Sequence, residues 1–378
     1  MELSRRHSLT SGVILTKPRR DGISKQSSFR NDFISSSIHC IMGIYMNMSA
    51  SSTNAKRIYA IICCLLTTLL ITGCERGLNM DGDGDTRAKI ISENHVRTVL
   101  DTYQKFSYRW DQIDAGVPPL MLEEFPTDIH LIRSTDKKKK FFFLSVLPLA
   151  LMGNNEIRQH RNAVEYYLGF IDQGKELSLH QHEELLKIQS YYKVEGDILH
   201  DRSARERLLR RVDTIPPSLT LAQAANESGW GLSRFAQQAN NIFGEWTFTP
   251  GTGLVPKGRP EGEIYEVRRF DSLYASIRSY LRNLNTHRAY RSMRSVRQRL
   301  RDNNLPLTGY TLAGEMQFYS TRREAYVREI RAIISTNHLE KVNNVALLER
   351  AVPAPVEDAP RKKGLLSSGD GRPNPSET

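Results

Sequence analysis

The sequence contains no cysteine after Cys74. Its four cysteines, at positions 40, 63, 64 and 74, all lie in the first fifth of the 378-residue chain. The remaining residues therefore cannot form a disulfide framework, supply a thiol nucleophile or build a zinc site from cysteine ligands. We expect neither a metal nor a cofactor in this protein.

Acidic residues are too few to balance the basic ones. Lys and Arg number 53 against 42 Asp and Glu, which gives a formal net charge of +11. Such a chain suits an anionic partner, namely nucleic acid, anionic lipid or an anionic polymer. No helix-turn-helix, zinc-finger or RNP-like pattern accompanies the charge, so we expect no nucleic-acid partner. The arginines of residues 202–211 are typical of a solvated helix face.

No apolar run is as long as a transmembrane helix requires. Residues 141–152 are apolar except for Ser145, and they follow four lysines at positions 137–140. About a dozen residues, interrupted by Pro148, are too few to span a bilayer. The pattern favours a buried helix with an exposed basic start over a membrane segment.

Helical spacing is missing between residues 243 and 270. Aromatic and β-branched residues alternate there with glycine- and proline-rich stretches at 249–253 and 256–262. This composition predicts short β-hairpins. Helical spacing is present at 155–210, returns at 272–301, and recurs as a helical pair at 312–334.

The most informative segment is AANESGWG at residues 224–231, with NNIFG following at 240–244. Pro216 and Pro217 suit the start of a helix, and Gly229 suits its end. Glu227 then lies in the last turn, where the negative end of the helix dipole and apolar neighbours disfavour its charge. A carboxyl group that stays protonated near neutral pH is what a general acid for glycoside cleavage requires.

These motifs resemble those of the bacterial cell-wall glucosaminidases of glycoside hydrolase family 73, and among them those of the Bax-like proteins of Gram-negative bacteria. AxESGWG and NNxFG stand in order, and FDS at 270–272, YLRNLN at 280–285 and YSTRREAY at 319–326 match further. The resemblance covers residues 120–340. It implies a mainly α (α+β) fold, in which a lysozyme-like glucosaminidase domain with a small β-hairpin lobe follows a helical segment.

The resemblance also implies catalytic roles. Glu227 is expected to be the general acid, and Tyr319, the first tyrosine of the late motif, to face it. Glu263 and Glu266 are the candidates for a second catalytic carboxylate, chosen from a set that also includes Glu245, Glu261 and Asp271. Inverting, retaining and substrate-assisted mechanisms remain open, because they differ in whether and where that second carboxylate stands.

Substrate binding is expected from residues near the motifs. Trp246 and Tyr326 are assigned to it because sugar rings present apolar faces to aromatic side chains. Asn240 and Asn241 are included, and we also expect their side chains to hold the loop after the catalytic helix. Trp230 and Phe243 are assigned to packing.

Residues 46–74 have the pattern of a lipoprotein signal peptide. A basic pair at 56–57 precedes an apolar run over 58–71, and ITGC at 71–74 resembles a lipobox, which predicts lipidation of Cys74. An ordinary signal peptide or an uncleaved anchor is the alternative. We expect a periplasmic protein, anchored through the lipid to the outer membrane of a Gram-negative bacterium because Glu75 follows the cysteine.

The domain organisation expected from these patterns has six parts. They are an upstream extension (1–45) that precedes the true start at Met46 or Met48, the signal peptide (46–74), a linker (75–110), a helical segment (111–205), the glucosaminidase domain (206–342) and a disordered tail (343–378). The expected protein is a monomer that cleaves β-1,4 bonds of N-acetylglucosamine in peptidoglycan. The alternatives are a muramidase or lytic transglycosylase, and a non-catalytic peptidoglycan-binding lipoprotein.

Overall fold

The computed structural model describes residues 88–353. The expected upstream extension, the signal peptide and Cys74 lie outside the described residues. None of the helices within 88–353 combines the length and the hydropathy that a membrane crossing needs.

Helices dominate the described part of the chain, and the strands are short. The helices are α1 (Val96–Lys105), α2 (Thr135–Asp172), α3 (Leu179–Tyr191), α4 (Arg202–Arg211), α5 (Pro217–Ser228), α6 (Arg234–Ala239), α7 (Leu273–Thr286), α8 (Arg291–Asp302), α9 (Gly309–Ala313) and α10 (Glu324–Thr336). The strands are β1 (Lys89–Ile91), β2 (Leu120–Leu122), β3 (Trp246–Thr247), β4 (Gly253–Leu254) and β5 (Glu266–Arg268). Short 3-10 helices occur at Ile113–Ala115, Ile129–Leu131, Arg288–Tyr290 and Leu339–Asn344. The predicted fold class, mainly α with a small β lobe, is confirmed.

The expected linker over 75–110 is wrong for residues 88–110. β1 pairs in parallel with β2, with Lys89 opposite Leu120. Val99 and Tyr103 of α1, one helical turn apart, are buried, and so is Tyr108. Polar residues on the outer face of α1 outnumber the residues of this apolar stripe. The composition is therefore that of a linker, although the segment packs into the core.

The apolar segment at 141–152 is a continuously buried stretch of the 38-residue helix α2, as predicted. Ser134 caps the helix, because its hydroxyl accepts a hydrogen bond from the backbone N–H of Lys137. A Cβ atom at Gly153 would lie 2.6 Å from Leu281 Cδ1. The absence of that atom allows α2 and α7 to pack closely.

One hydrophobic core holds the helical segment and the glucosaminidase domain together. α5 lies at its centre and packs against α2, α9, α10 and the 3-10 helix Leu339–Asn344. Six of its twelve residues are apolar, and all six are buried. The helix that delivers Glu227 is therefore fixed by elements from both sides of the expected boundary at residue 206.

The β lobe is a three-stranded antiparallel sheet in the order β3-β5-β4. Trp246 of β3 and Leu254 of β4 both pair with Val267 of the central strand β5. The short β-hairpins predicted between residues 243 and 270 are thus confirmed.

The expected tail begins too early. Val117 forms a parallel bridge with Leu347, and the backbone N–H of Leu348 donates to the carbonyl of Val117 at 2.8 Å. Residues 343–353 therefore return to the N-terminal part of the fold. Residues 354–378 of the expected tail lie outside the described residues.

Candidate active site

Helix α5 ends immediately after the candidate acid. Pro217 occupies the first turn, and Gly229 ends the helix in the left-handed conformation, with φ of 58°. The backbone N–H of Trp230 then donates to the carbonyl of Ala225 at 2.9 Å. Glu227 consequently lies in the last turn, as the sequence predicts.

Four buried tyrosines surround Glu227. They are Tyr280 of α7, Tyr290 of the 3-10 helix Arg288–Tyr290, Tyr319 of the turn before α10, and Tyr326 of α10. The negative charge of Glu227 contributes to the raised pKa of each hydroxyl. Burial raises the pKa of Glu227 to about 7, although hydrogen bonds from Tyr326 and Asn226 and the charge of Arg322 act in the opposite direction.

A chain of hydrogen bonds leads to Glu227 through the core. Tyr280 donates its hydroxyl proton to Gln223 Oε1 at 2.6 Å, and Gln223 Nε2 donates to the hydroxyl oxygen of Tyr326 at 2.8 Å. Because an amide nitrogen only donates, the proton of Tyr326 is free to be donated to the carboxylate of Glu227. Gln223 and Glu227 lie on the same face of α5, one turn apart.

The hydroxyl that reaches Glu227 is that of Tyr326, not that of Tyr319. Tyr319 donates its hydroxyl proton to the carbonyl of Phe243 at 3.2 Å, and its ring stacks on that of Tyr326 with centroids 5.4 Å apart. Tyr326 has no exposed surface, so the expected contact of Tyr326 with a sugar is corrected to a contact with the acid. The backbone directions at positions 319 and 326, which the motif does not specify, decide which hydroxyl reaches Glu227.

Asn240 and Asn241 are buried and hold the loop between α6 and the β lobe. Asn240 ends α6 in the left-handed conformation, and its Nδ2 donates to the carbonyl of Phe270 at 3.2 Å. Asn241 donates from Nδ2 to the carbonyls of Glu245 and Arg268, each at 2.8 Å. Their amide groups are used by the backbone, so the expected role in substrate binding is replaced by the expected role in loop structure.

Glu266 is engaged inside the β lobe. Its Oε1 accepts a hydrogen bond from the backbone N–H of Gly251 at 3.0 Å, its Oε2 accepts one from that of Gly253 at 2.8 Å, and the residue is 6% exposed. This carboxylate joins β5 to the segment around Gly251 and Gly253, and its catalytic role stays a prediction that these contacts count against.

The other carboxylates near the lobe fall into two groups. Glu245 is bound by Arg268 and by the hydroxyl of Ser279, both at 2.7 Å. Glu261, Glu263 and Asp271 are exposed to solvent. Among the initial candidates, Glu263 therefore remains a predicted partner for Glu227.

The β lobe presents an aromatic pair. The rings of Trp246 and Tyr265 stack with centroids 4.4 Å apart and planes 18° apart, and both residues are half-buried. Phe248 and Ile264 of the same lobe are exposed. Phe243, in contrast, is buried and stacks on Tyr280 at 3.8 Å, so its expected role in packing is confirmed.

Arg322 and Glu329 form an ion pair of 2.5 Å next to the tyrosines. The guanidinium of Arg322 lies 5.9 Å from the ring centroid of Tyr326. The two charges act on Glu227 with opposite sign, since Arg322 lowers its pKa and Glu329 raises it. In residues 88–353 no group of three or more His, Cys, Asp or Glu side chains could hold a metal ion.

Comparison with known proteins extends these observations. The glucosaminidase family, described as mannosyl-glycoprotein endo-beta-N-acetylglucosaminidase, matches residues 203–339. Protein bax of Escherichia coli (strain K12) is 32% identical over 210 residues, which cover 56% of this chain and 73% of that protein. The chain belongs to the Bax-like glucosaminidase family.

Membership in this family makes the chain a glycosidase of the glucosaminidase type, which acts on a peptidoglycan-type substrate. The matched residues contain all of α5, the β lobe and α10, and hence Glu227, Gln223 and Tyr326. No solved structure matches the chain significantly.

Proposed function

We propose that this protein hydrolyses β-1,4 bonds of N-acetylglucosamine in peptidoglycan glycan strands, with Glu227 as the general acid. The observation that carries the proposal is the environment of Glu227, a half-buried carboxyl group whose pKa burial raises to about 7. Its position at the end of α5 leaves it close to the exposed loop at Gly229. A general acid is most effective when its pKa lies near the working pH.

Proton transfer proceeds from the carboxyl group of Glu227 to the oxygen of the leaving sugar. The resulting carboxylate is stabilised by the hydroxyl of Tyr326 and the amide of Asn226, which already point to it. Gln223 holds the hydroxyl in place from the other side. The same carboxylate can then accept a proton from water in a second step, as microscopic reversibility requires of a retaining or substrate-assisted enzyme.

The group that stabilises the sugar cation is either Glu263 or the substrate's own acetamido carbonyl. Glu245 is held by Arg268 and Ser279, and Glu266 is held by two backbone N–H groups, so neither carboxylate is available without breaking those contacts. The stacked rings of Trp246 and Tyr265 supply an apolar face of the kind that sugar rings contact.

Analysis of the products of purified sacculi tests this function. N-acetylglucosamine at the new reducing ends is expected, whereas reducing N-acetylmuramic acid would indicate a muramidase and 1,6-anhydro ends a lytic transglycosylase. Glu227→Gln should lower cleavage by about 10²–10⁴-fold while the protein still folds and binds sacculi. Glu176→Gln, which neutralises an exposed carboxyl group between α2 and α3 that is not a candidate for catalysis, is the matched control.

A wild-type protein that binds sacculi but releases no saccharide would support the rival function of a non-catalytic binding protein. Full activity of a folded Glu227→Gln variant would show that Glu227 is not the general acid.

For localisation we propose a lipid anchor at Cys74 in the outer membrane. The support is the sequence pattern of residues 56–74 alone. Cys74→Ser should abolish metabolic labelling with a fatty acid and release the protein from the membrane fraction. Labelling equal to that of the wild type would contradict the proposal.

A further inference from the structure

Two segments of the chain hold most of its excess positive charge. Residues 202–211 and 288–301 together contain eleven arginines and a single glutamate. The first segment is α4, and the second consists of the 3-10 helix Arg288–Tyr290 and most of α8; α4 and α8 pack against each other. The arginines of α4, which in the sequence are typical of a solvated face, are thus part of a larger basic surface.

Arg294 lies at the centre of this surface and is 4% exposed. Its Nη1 donates to the carbonyls of Leu284 and His287, at 2.8 and 3.0 Å, and within the described residues it has no carboxylate partner. These carbonyls lie at the C-terminal end of α7 and carry only partial charge. Burial, followed by the charges of neighbouring arginines such as Arg211 and Arg291, lowers the pKa of Arg294 to about 9.

The side chains around Arg294 are exposed cations. Lys193, Arg210 and Arg291 lie at the surface, and none of them forms an ion pair within residues 88–353. Arg211 donates to the carbonyls of Tyr192 and Lys193 rather than to a carboxylate. We call these four residues together with Arg294 the arginine ridge. Cations gathered around a buried guanidinium normally have anionic partners. Within residues 88–353 no carboxylate forms an ion pair with these five residues, and the nearby charges of Glu195 and Glu245 act only on Arg211 and Lys193 at a distance.

The arginine ridge begins next to the candidate active site. The charges of Lys193 and Glu245 act on each other, and so do those of Lys193 and Arg211. Tyr290, which directly precedes Arg291, belongs to the group of tyrosines around Glu227. A polymer bound across the site at Glu227 can therefore extend onto the ridge.

We propose that the arginine ridge binds the free carboxylates of the peptides attached to the glycan strand, so that the substrate is peptide-bearing peptidoglycan rather than bare glycan. The inference rests on the proposed function, because it assigns the ridge to the same substrate. Guanidinium groups bind carboxylates through paired, charge-assisted hydrogen bonds. The arginine ridge adjoins Tyr290, which belongs to the group of tyrosines around Glu227. A ligand that is part of the substrate is therefore favoured over a separate membrane surface.

The test uses a triple variant, Lys193→Gln, Arg210→Gln and Arg291→Gln. All three side chains are exposed and make no ion pair in the described residues, so the fold should be retained. The matched control, Lys89→Gln, Arg97→Gln and Lys105→Gln, removes the same charge from exposed positions on β1 and α1. Each variant digests intact sacculi and glycan strands from which an amidase has removed the peptides, and kcat and KM are measured for both.

For the ridge variant we expect KM for peptide-bearing sacculi to rise about tenfold, roughly a factor of two for each lost exposed ion pair. KM for peptide-free strands should stay unchanged, and the control should match the wild type on both substrates. High salt should abolish the wild-type preference for peptide-bearing material.

Three results would overturn the inference. They are an unchanged KM on peptide-bearing sacculi, an equal loss on both substrates, and a loss of binding to phosphatidylglycerol vesicles with digestion unaffected, which would assign the ridge to a lipid surface. Failure of the wild type to cleave either substrate would instead refute the proposed function. The two failures are therefore distinguishable.

Discussion

Gln223 and Glu227 lie one turn apart on α5, and both side chains reach the hydroxyl group of Tyr326. Gln223 donates to the hydroxyl oxygen, so the hydroxyl proton is directed to the acid. The residue that orients Glu227 is itself oriented by Tyr280, which donates to Gln223. The geometry of the acid is thus set by buried groups that never need to contact the substrate.

Activity and stability should both depend on the titration of Glu227. Its pKa of about 7 predicts that cleavage falls as pH rises through that value, because the acid loses its proton. The folded pKa lies above the unfolded value of about 4.3, so the folded state binds the proton more tightly. The stability from this group is complete below pH 4 to 5 and is lost as pH rises towards 7 and above.

Glu227→Gln removes this dependence on pH. Thermal unfolding of the variant and the wild type at pH 5 and pH 8 should show a relative gain for the variant at pH 8, of about 2 kcal/mol at most, since the carboxyl group is only half-buried. Parallel unfolding curves at both pH values would contradict the raised pKa.

Tyr326→Phe should affect the acid more than Tyr319→Phe does. The first change removes a hydrogen bond that lowers the pKa of Glu227, so the fall in activity on the alkaline side should move to higher pH. It also leaves Gln223 Nε2 without its partner in the core, which costs about 1–3 kcal/mol of folding stability. Tyr319→Phe removes only the bond to the carbonyl of Phe243.

The pH–rate profile separates the two tyrosine variants. We expect the alkaline side of the profile for Tyr319→Phe to coincide with that of the wild type. If Tyr319→Phe shifted it and Tyr326→Phe did not, the assignment of Tyr326 as the tyrosine that hydrogen-bonds Glu227 would be wrong.

Arg322→Gln and Glu329→Gln should shift the same profile in opposite directions. Arg322 lowers the pKa of Glu227 and Glu329 raises it, so the alkaline side should move to higher pH in the first variant and to lower pH in the second. The measurement is kcat/KM against pH, with Glu324→Gln, an exposed carboxyl group on the same helix as Glu329, as the control. Shifts of the same sign in both variants would exclude an electrostatic cause.

Glu266→Gln should loosen the β lobe. A glutamine keeps one acceptor oxygen but turns an NH₂ group towards one of the backbone N–H donors of Gly251 and Gly253, at a cost of about 1–3 kcal/mol. Faster amide hydrogen exchange in residues 246–268 is the expected result. Glu263→Gln should leave exchange unchanged, and a loss of cleavage comparable to that of Glu227→Gln would identify Glu263 as the second carboxylate.

The position of Glu227 could be predicted because the chain marks both ends of α5 locally, with Pro217 at the start and Gly229 at the end. Gln223 could also have been found, since a polar residue one turn before the acid shares its face of the helix. The choice between Tyr319 and Tyr326 could not. That choice depends on how the turn before α10 orients each tyrosine ring, and the residue types of the motif do not encode this orientation.

At the ends of the described fold, the composition predicted a linker and a tail where the structure has packed segments, and the physical reason is different. α1 is short and amphipathic, so its two buried residues, Val99 and Tyr103, are outnumbered by polar ones. The inward side chain of Glu266 was missed because the register of a two- or three-residue strand is set by its neighbours in the sheet. Long-range pairing of this kind leaves little trace in a short stretch of sequence.

The helix that carries Glu227 packs against α2, which lies entirely before the family-matched residues 203–339. The segment that the family description matches is therefore smaller than the packed unit that holds α5. Transplanting the matched residues alone into another protein would expose the face of α5 that α2 covers. For grafting or domain exchange, the transferable piece includes the long helix as well.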